Sequence, residues 1–222
     1  MIESLIQPAS TFAHEVDFVI NLVGVMVLFW GGLTAGVFFW LLWRFRYKEG
    51  VPAAYYTGNE PDLKRWINWP HYAIILCDLA IIAAAVRVWY IVKQDLPEPA
   101  ATVEVVAQQW AWSFRHPGKD GQLGTPDDIE TVDEMHVELD KVHHFKLTSR
   151  DVLHSFSVPV FRLKQDAIPG REITGWFQPT VAGEFDIQCA EICGIGHGLM
   201  PARIFVETPE QHAAWLASAS TN

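Results

Sequence analysis

Two long apolar stretches lie in the first hundred positions of the chain. The first runs from about residue 18 to 43 and the second from about 69 to 92. Each exceeds the ~20 residues that an α-helix needs to cross a lipid bilayer. The pattern therefore predicts a two-helix transmembrane hairpin over residues 17–94, with a loop between the two spans.

Beyond this hairpin the apolar positions recur at every second residue. In the segment 135–140, for example, apolar and polar residues alternate as they do in a half-buried strand. Similar short runs, separated by turn residues, recur over 103–208 after a linker at 95–102. They predict an all-β domain, a Greek-key β-sandwich or barrel. Residues 209–222 are expected to form a short terminal helix and a tail.

The basic residues between the spans predict the orientation in the membrane. Residues 44–65 hold five Lys and Arg, whereas residues 1–16 hold none. Because basic loops stay on the cytoplasmic side, the N-terminal segment and the β-domain are expected on the periplasmic side of the inner membrane. Asp78 and Arg87 lie inside the second span, where charge is costly in lipid. The helices are therefore expected to pack against a larger membrane partner.

The net charge of −10 comes entirely from the soluble part of the chain. Residues 1–94 hold seven acidic and seven basic residues, whereas residues 95–222 hold nineteen acidic and nine basic residues. An acidic domain excludes nucleic acid as a partner, because the phosphate backbone requires basic contacts. The charge favours a basic protein partner that is steered by long-range attraction, with solubility alone as the alternative.

An acidic loop at 119–130 could hold a calcium ion through Asp120, Asp127 and Asp128. Its spacing differs from that of an EF-hand loop, so a solvated acidic hairpin tip is the favoured interpretation. Cys77 lies in the second apolar run and is expected to be a packed core residue. The chain has no C-x-x-C-H motif, so no c-type haem is attached to it.

Four side chains suited to copper lie in the segment CAEICGIGHGLM. Cys189, Cys193, His197 and Met200 offer two thiols, an imidazole and a thioether, which are soft or borderline ligands. Three glycines between them disfavour a helix and allow a loop to curl, so that the side chains converge. A structural disulfide between the two cysteines is the alternative, since an oxidising compartment permits it.

His154 supplies a further candidate ligand, at the start of a predicted strand 35 residues before Cys189. Cupredoxin-like sandwiches bring one histidine from an early strand to a Cys/His/Met loop near the C-terminus. A single copper ion would need only one cysteine. Two cysteines in one loop therefore indicate two metal ions bridged by two sulfurs.

Three motifs resemble those of subunit II of the haem–copper oxidases, of the cytochrome c oxidase type. CAEICGIGHGLM (189–200) resembles the copper loop of that family. DVLHSFSVP (151–159), followed by LKQDAIPGR (163–171), resembles its first-histidine segment, and QQWAWSF (108–114) resembles its aromatic stretch. The match covers essentially the whole chain and implies two spans followed by a cupredoxin domain.

The resemblance also implies roles for particular residues. The resemblance implies a binuclear copper A centre in which Cys189 and Cys193 are bridging thiolates. His154 and His197 would bind one copper each. Met200 and the backbone carbonyl of Glu191 would be weak ligands. The Glu191 side chain would reach a magnesium ion at the interface with the catalytic subunit. Trp110 would lie at the surface where the electron enters.

The implied function is electron entry into a respiratory terminal oxidase. The partners would be a large haem-bearing catalytic subunit I, other oxidase subunits and a cytochrome c-type donor, with haem only in the partner subunit. A quinol oxidase subunit lacks the copper ligands that are all present here. Two alternatives stay open: a copper A-type nitric oxide reductase, and a membrane-anchored copper carrier.

Three positions depart from the family pattern. Ala111 replaces the usual tyrosine between the two tryptophans, and Gln108 replaces a histidine before them. Both changes concern the identity and docking of the donor. Leu63, beside Asp62, replaces a glutamate that is linked to proton uptake in the family. That change concerns any role of this subunit in proton entry.

The sequence also predicts the burial or exposure of several other side chains. Period-two alternation would put Trp110 on one strand face with Trp112 and Phe114, where burial is the default. Surface positions are expected for His136, His143 and His144, and a water-excluding role at the metal site for Ile192, Ile195 and Leu199.

Overall fold

The computed structural model describes residues 2–53 and 55–219. The chain divides into two units. One is helical and comprises Phe18–Arg87. The other comprises Met1–Asp17 together with Val88–Asn222 and holds all of the strands described below.

The helical unit contains most of α1 (Ala13–Arg44) and of α2 (Pro61–Trp89). One π-helical turn over Tyr90–Gln94 follows α2. Both helices are long and apolar enough to cross a membrane, and no residue in the most apolar stretch of either is buried. Cys77 on α2 is half-buried, so the expectation of a packed core position is wrong within this chain. The apolar surfaces of the two helices are left uncovered.

The β-unit contains two five-stranded sheets. The strands are β1 (Ala101–Gln108), β2 (Ala111–His116), β3 (Ile129–Val132), β4 (Glu134–Glu138), β5 (His143–Ser149), β6 (His154–Val158), β7 (Leu163–Ala167), β8 (Ile173–Phe177), β9 (Gly183–Cys189) and β10 (Ala202–Glu207). The first sheet has the order β3-β2-β1-β5-β8 and the second has the order β4-β10-β9-β6-β7. The predicted fold class, two apolar helices followed by a β-sandwich, is confirmed.

The core of the sandwich is built from alternating buried residues of both sheets. Along β1, every second residue from Val103 to Ala107 is buried. The rings of Trp112 and Phe114 from β2 meet that of Phe156 from β6, with centroids 5.6 and 6.5 Å apart. Burying each such side chain stabilises the fold by about 1.5–3 kcal/mol. The aromatic core thereby fixes β2 and β6, which flank the candidate site.

The N-terminal segment packs against the β-unit before α1 leaves it. The Ala9 N–H donates to the carbonyl of Val160, and its own carbonyl accepts from Thr180. Arg162 donates to both oxygens of the fully buried Asp17 carboxylate, at 2.6 and 3.0 Å. Removing one partner of such a buried pair leaves an uncompensated charge, so the pair ties this segment to the domain.

The expectation of surface positions for three histidines is wrong. His143 is only 2% exposed, and its Nε2 lies 2.9 Å from the carbonyl of Glu138. His144 is half-buried, with its Nε2 2.8 Å from the carbonyl of Pro97 in the linker. The side chain of His136 is 10% exposed. The linker covers His144, the last helix covers His136, and the ring of Phe177 stacks on His143.

That last helix is α3 (Pro209–Ala219), and a histidine–carboxylate cluster joins it to the sheet. The ring of His136 stacks on Trp215 with centroids 4.3 Å apart. The two carboxylate oxygens of Glu207 lie 2.8 Å from Nδ1 of His136 and of His212. Burial raises the pKa of Glu207, but these two hydrogen bonds outweigh burial and hold the pKa at about 2. The carboxylate therefore stays charged at neutral pH.

Candidate metal centre

The pairing of β6 with β9 brings the predicted ligands from distant parts of the chain together. Phe156 is the register partner of Cys189, the last residue of β9. Antiparallel pairing then places His154, the first residue of β6, beside the segment that follows Cys189. The Ala190 N–H donates to the Ser155 carbonyl at 2.9 Å and continues this contact.

The two cysteines of this loop are free thiols. Their Sγ atoms lie 3.9 Å apart. A disulfide bond would bring them to about 2.05 Å. The geometry therefore describes two separate sulfur donors that face each other, not the structural disulfide that the sequence left as an alternative.

The other predicted ligand atoms lie around this sulfur pair. Nδ1 of His154 and the carbonyl oxygen of Glu191 are 3.9 and 3.2 Å from Sγ of Cys189. Nδ1 of His197 and Sδ of Met200 are 3.6 and 3.3 Å from Sγ of Cys193. Ligand atoms of His154 and both cysteines all lie within 4.8 Å of one another. All six predicted ligand groups are brought together.

Burial shapes the chemistry of these donors. His154 is fully buried, and Cys193 and Met200 are nearly so. Burial, with a smaller contribution from the neighbouring Cys189, raises the pKa of the Cys193 thiol to about 11. A bound cation displaces such protons, because thiolates are the metal-binding form. Two sulfurs, two imidazoles and a thioether fit copper, since all of them are soft or borderline donors.

Asp151 lies directly behind the buried histidine. Its Oδ1 is 2.9 Å from Nε2 of His154, so Nδ1 of that ring is left for the metal. Burial raises the pKa of Asp151, but hydrogen bonds from His154 and from the backbone N–H groups of Gln109 and Val152 outweigh burial and lower this pKa. A carboxylate in this position fixes the tautomer and the orientation of a metal-ligating histidine.

The β-domain matches a known protein family over almost its whole length. Residues 101–208 match the family model described as cytochrome c oxidase subunit II, periplasmic domain. The alternative cytochrome c oxidase subunit 2 of Bradyrhizobium diazoefficiens is 35% identical over 212 residues, which cover 85% of this chain and 75% of the relative. This chain belongs to the cytochrome c oxidase subunit II family.

Two further relatives agree with membership in the subunit II family. Cytochrome c oxidase subunit 2 of Cereibacter sphaeroides is 30% identical over 243 residues, covering 96% of this chain and 77% of the relative. The crystal structure of the periplasmic domain of subunit II of the Bradyrhizobium japonicum oxidase is 31% identical, with a TM-score of 0.52. It covers 57% of this chain and 98% of that one.

Family membership makes the chain a subunit of an oxidoreductase complex that assembles with other oxidase subunits. The β-sandwich is the cupredoxin-like domain of that family. With its two apolar helices, the chain is a two-span membrane protein whose β-domain lies on the extracytoplasmic side.

In this subunit II chain, Trp110 lies outside the strand that follows it. β2 begins at Ala111, so Trp110 occupies a turn, is 37% exposed and lies over the loop that carries the cysteines. Trp112 and Phe114 are buried in the core. The expectation that period-two alternation would put all three aromatics on one face fails at Trp110, because the chain turns there.

Two residues that sequence reasoning did not assign also support the loop. Nε1 of Trp112 donates to the carbonyl of Met200 at 3.2 Å, and Nε2 of Gln109 donates to the carbonyl of Cys193 at 2.7 Å. Both residues belong to the aromatic stretch QQWAWSF, but the sequence of that stretch does not predict these contacts with the loop backbone.

The expectation that Ile192, Ile195 and Leu199 shield the site is wrong for the chain by itself. Their exposed fractions are 80%, 95% and 82%. The loop turns its cysteines and methionine inward and its aliphatic side chains outward. These three residues are exposed apolar side chains of the ligand loop.

Other candidate ion sites have less support. Among the described residues, no group of three metal-ligating side chains includes Glu191. In the acidic loop, Asp127 and Asp128 accept hydrogen bonds from backbone N–H groups of the loop itself. Glu3, His14 and Asp17 do converge, but Arg162 already neutralises the Asp17 carboxylate.

Proposed function

We propose that this chain is the electron-entry subunit of a respiratory terminal oxidase. It accepts electrons from cytochrome c, or a similar basic donor, at a binuclear copper A centre. It passes them to haem in a large catalytic subunit I, where oxygen is reduced to water. The observation that carries this proposal is the convergence of four further donor groups on two sulfur atoms 3.9 Å apart.

The donor set supports the binuclear assignment. Cys189 and Cys193 would bridge both coppers as thiolates, and His154 and His197 would each bind one copper. Met200 and the Glu191 carbonyl, which each lie beside one sulfur, would be the weak ligands. When bound, such a centre supplies a one-electron carrier whose charge is shared by two metal ions.

The protein groups around the ligands favour a rigid site. Asp151 orients His154, while Gln109 and Trp112 hold the carbonyls of Cys193 and Met200. Ligands that are held in place change shape little between oxidation states. A rigid loop therefore favours fast electron exchange at low reorganisation cost.

The entry point is proposed at Trp110. Its indole is partly exposed and also contacts the part of the ligand loop between Cys193 and His197. The excess of acidic residues in 95–222 would attract a basic donor to this domain. The donor would then meet the indole face before any buried ligand.

The partner that takes up the electron is proposed to cover this chain's apolar surfaces. Neither membrane-type helix buries any of its most apolar stretch within the chain. Ile192, Ile195 and Leu199 also lie exposed beside the ligands. A large haem-bearing subunit in the inner membrane would cover such surfaces, and a magnesium ion reached by Glu191 would lie at that interface.

Purification of the full chain with its partners tests this proposal. An affinity-tagged chain, extracted in mild detergent, should co-purify with a large haem-bearing subunit. The complex should consume oxygen when supplied with reduced cytochrome c. Reduction of nitric oxide in place of oxygen would identify the reductase alternative. A chain that purifies alone and hands its copper to another protein would identify the carrier alternative.

A further inference from the structure

Two glycines of the ligand loop lie under the indole of Trp110. A Cβ atom added to Gly196 would lie 2.3–2.7 Å from the indole atoms Cδ2, Cε3 and Cγ. A Cβ atom on Gly194 would lie 3.1–3.3 Å from Cζ2 and Nε1. The first set of distances is shorter than any carbon contact that a folded protein tolerates. The indole therefore lies directly against the loop backbone.

Two hydrogen bonds hold Gln109, the residue that precedes Trp110 in the turn. The Gln109 side chain donates to the Cys193 carbonyl, and the Gln109 backbone N–H donates to Asp151, each at 2.7 Å. These bonds anchor the backbone next to Trp110, so the indole can leave the loop only by rotation of its own side chain. A Cβ atom added to Gly198, in the same loop, would have no neighbour within 4 Å and would not meet the indole.

We propose that Gly196 is a positioning residue for electron entry, because its missing side chain lets Trp110 contact the ligand loop. The inference rests on the proposed role of Trp110. A reduced c-type haem gives up one electron, its iron passes from ferrous to ferric, and the oxidised copper pair gains that electron. No proton moves and no bond forms, so the separation of donor and acceptor controls the rate.

Of Gly194 and Gly196, Gly196 is the better site for a test substitution. Its φ of −91° suits any L-residue, so an added methyl group acts only through the space it fills. Gly194 has a φ of +129°, where a side chain would strain the loop by itself. Gly196→Ala therefore separates the indole contact from the backbone requirement, and Gly198→Ala adds the same methyl group in open space.

The first measurement is independent of copper. The metal-free full chain in detergent is labelled with 5-fluorotryptophan, and Trp110→Phe identifies the Trp110 fluorine signal. Gly196→Ala should shift this signal and increase its response to exchange of H₂O for D₂O, because the displaced ring meets more solvent. Gly198→Ala should leave the Trp110 signal in place.

The second measurement uses the copper-loaded full chain and a reduced, basic c-type cytochrome. Gly196→Ala should keep its copper spectrum while the rate of copper reduction falls clearly below that of the unsubstituted chain, since a displaced indole lengthens the path of the electron. Gly198→Ala should react at the unsubstituted rate. In a Trp110→Phe background, Gly196→Ala should add little further loss, because both changes act through the same contact.

Each alternative result counts against a different claim. An unmoved Trp110 signal in Gly196→Ala, or a moved signal with an unchanged reduction rate, overturns the positioning role of Gly196. Loss of the copper spectrum in Gly196→Ala also overturns it, since the residue would then serve the metal loop itself. An unchanged rate in Trp110→Phe alone rejects the proposed entry point, and failure of the unsubstituted chain to bind copper rejects the proposed function.

Discussion

Oδ1 of Asp151 lies 2.9 Å from Nε2 of His154, while Nδ1 of the same ring faces Sγ of Cys189 at 3.9 Å. The imidazole is thus held between a carboxylate and a sulfur donor. Because the histidine is fully buried, this hydrogen bond decides which nitrogen is free to bind a metal ion.

Asp151→Ala is predicted to weaken copper binding about 10–100-fold, because partners behind metal-ligating histidines contribute that much affinity. Competition with a chelator of known affinity measures the effect. Asp151→Asn is the matched control, since its amide oxygen can still accept from Nε2, and it should retain most of the affinity. Equal affinity in Asp151→Ala and the unsubstituted chain would contradict an orienting role.

Trp110→Gln is predicted to leave folding and copper content intact and to slow copper reduction by the donor sharply. Donor binding should fall much less, since the acidic charge that attracts the donor is unchanged. Stopped-flow reduction and metal analysis on the same sample measure both effects. Trp112→Gln is the contrasting variant because Trp112 is fully buried, and it should cost ~3 kcal/mol or more of stability.

If Trp110 instead served only to stabilise the fold, the two variants would behave alike. Both would then lose thermal stability and copper occupancy together. Near-normal reduction of a folded, copper-loaded Trp110→Gln chain would exclude Trp110 as the point of electron entry.

Acid is predicted to destabilise the β-unit well above the pH at which its carboxylates titrate. Burial lowers the pKa of His116 from 6.5 to about 3, and burial lowers that of His143 from 6.5 to about 4. The unfolded chain takes up these protons near pH 6.5, whereas the folded chain resists them. The stabilisation is therefore complete above pH 6.5 and is lost as the pH falls towards 4.

Each histidine should cost about 1.4 kcal/mol of unfolding free energy per pH unit in that window. Denaturant unfolding of the full chain in detergent between pH 7 and 5 measures the slope. The amide of His143→Gln can still donate to the Glu138 carbonyl. This variant should therefore reduce the pH dependence of the unfolding free energy by the contribution of one histidine. His136, His212 and Glu207 border His116 and remain unchanged in this control. An unaltered slope would mean that His143 is protonated in the fold.

The rate of association with a basic donor is predicted to fall as salt rises. The whole excess of negative charge lies in residues 95–222, and screening shortens to about 8 Å at physiological ionic strength. Stopped-flow mixing across a salt series measures the rate. A small neutral reductant is the control and should show no salt dependence. A salt-independent rate with the cytochrome would mean that docking is apolar or that the donor is permanently bound.

The order of elements and the ligand set can be predicted because each leaves a local pattern. Two long apolar runs correspond to α1 and α2, and alternation over 135–140 corresponds to the strand at Glu134–Glu138. Soft donors crowded into one loop indicate the cysteine pair. The upstream histidine is recognisable because His154 opens a strand and matches a known motif.

The exposure of individual side chains and their hydrogen-bond partners depend on tertiary contacts, which the sequence alone does not reveal. Ile192 is apolar, which suggests a shielding role, but the loop turns it outward. His143 is polar, which suggests a surface position, but the carbonyl of Glu138 satisfies it in the interior. Asp151 has a weak signal, a carboxylate three residues before a histidine, that becomes meaningful only once Nε2 is seen to face it.

The number and coupling of the metal ions test the central claim most directly. Metal analysis and electron paramagnetic resonance on the oxidised, copper-loaded chain should give two coppers per chain and a purple, mixed-valence centre, with one unpaired electron shared by both nuclei. Cys193→Ser should abolish that signal by removing one bridge, whereas Cys77→Ser, on α2, should preserve it. One copper per chain, or the spectrum of a mononuclear blue-copper site, would contradict the account.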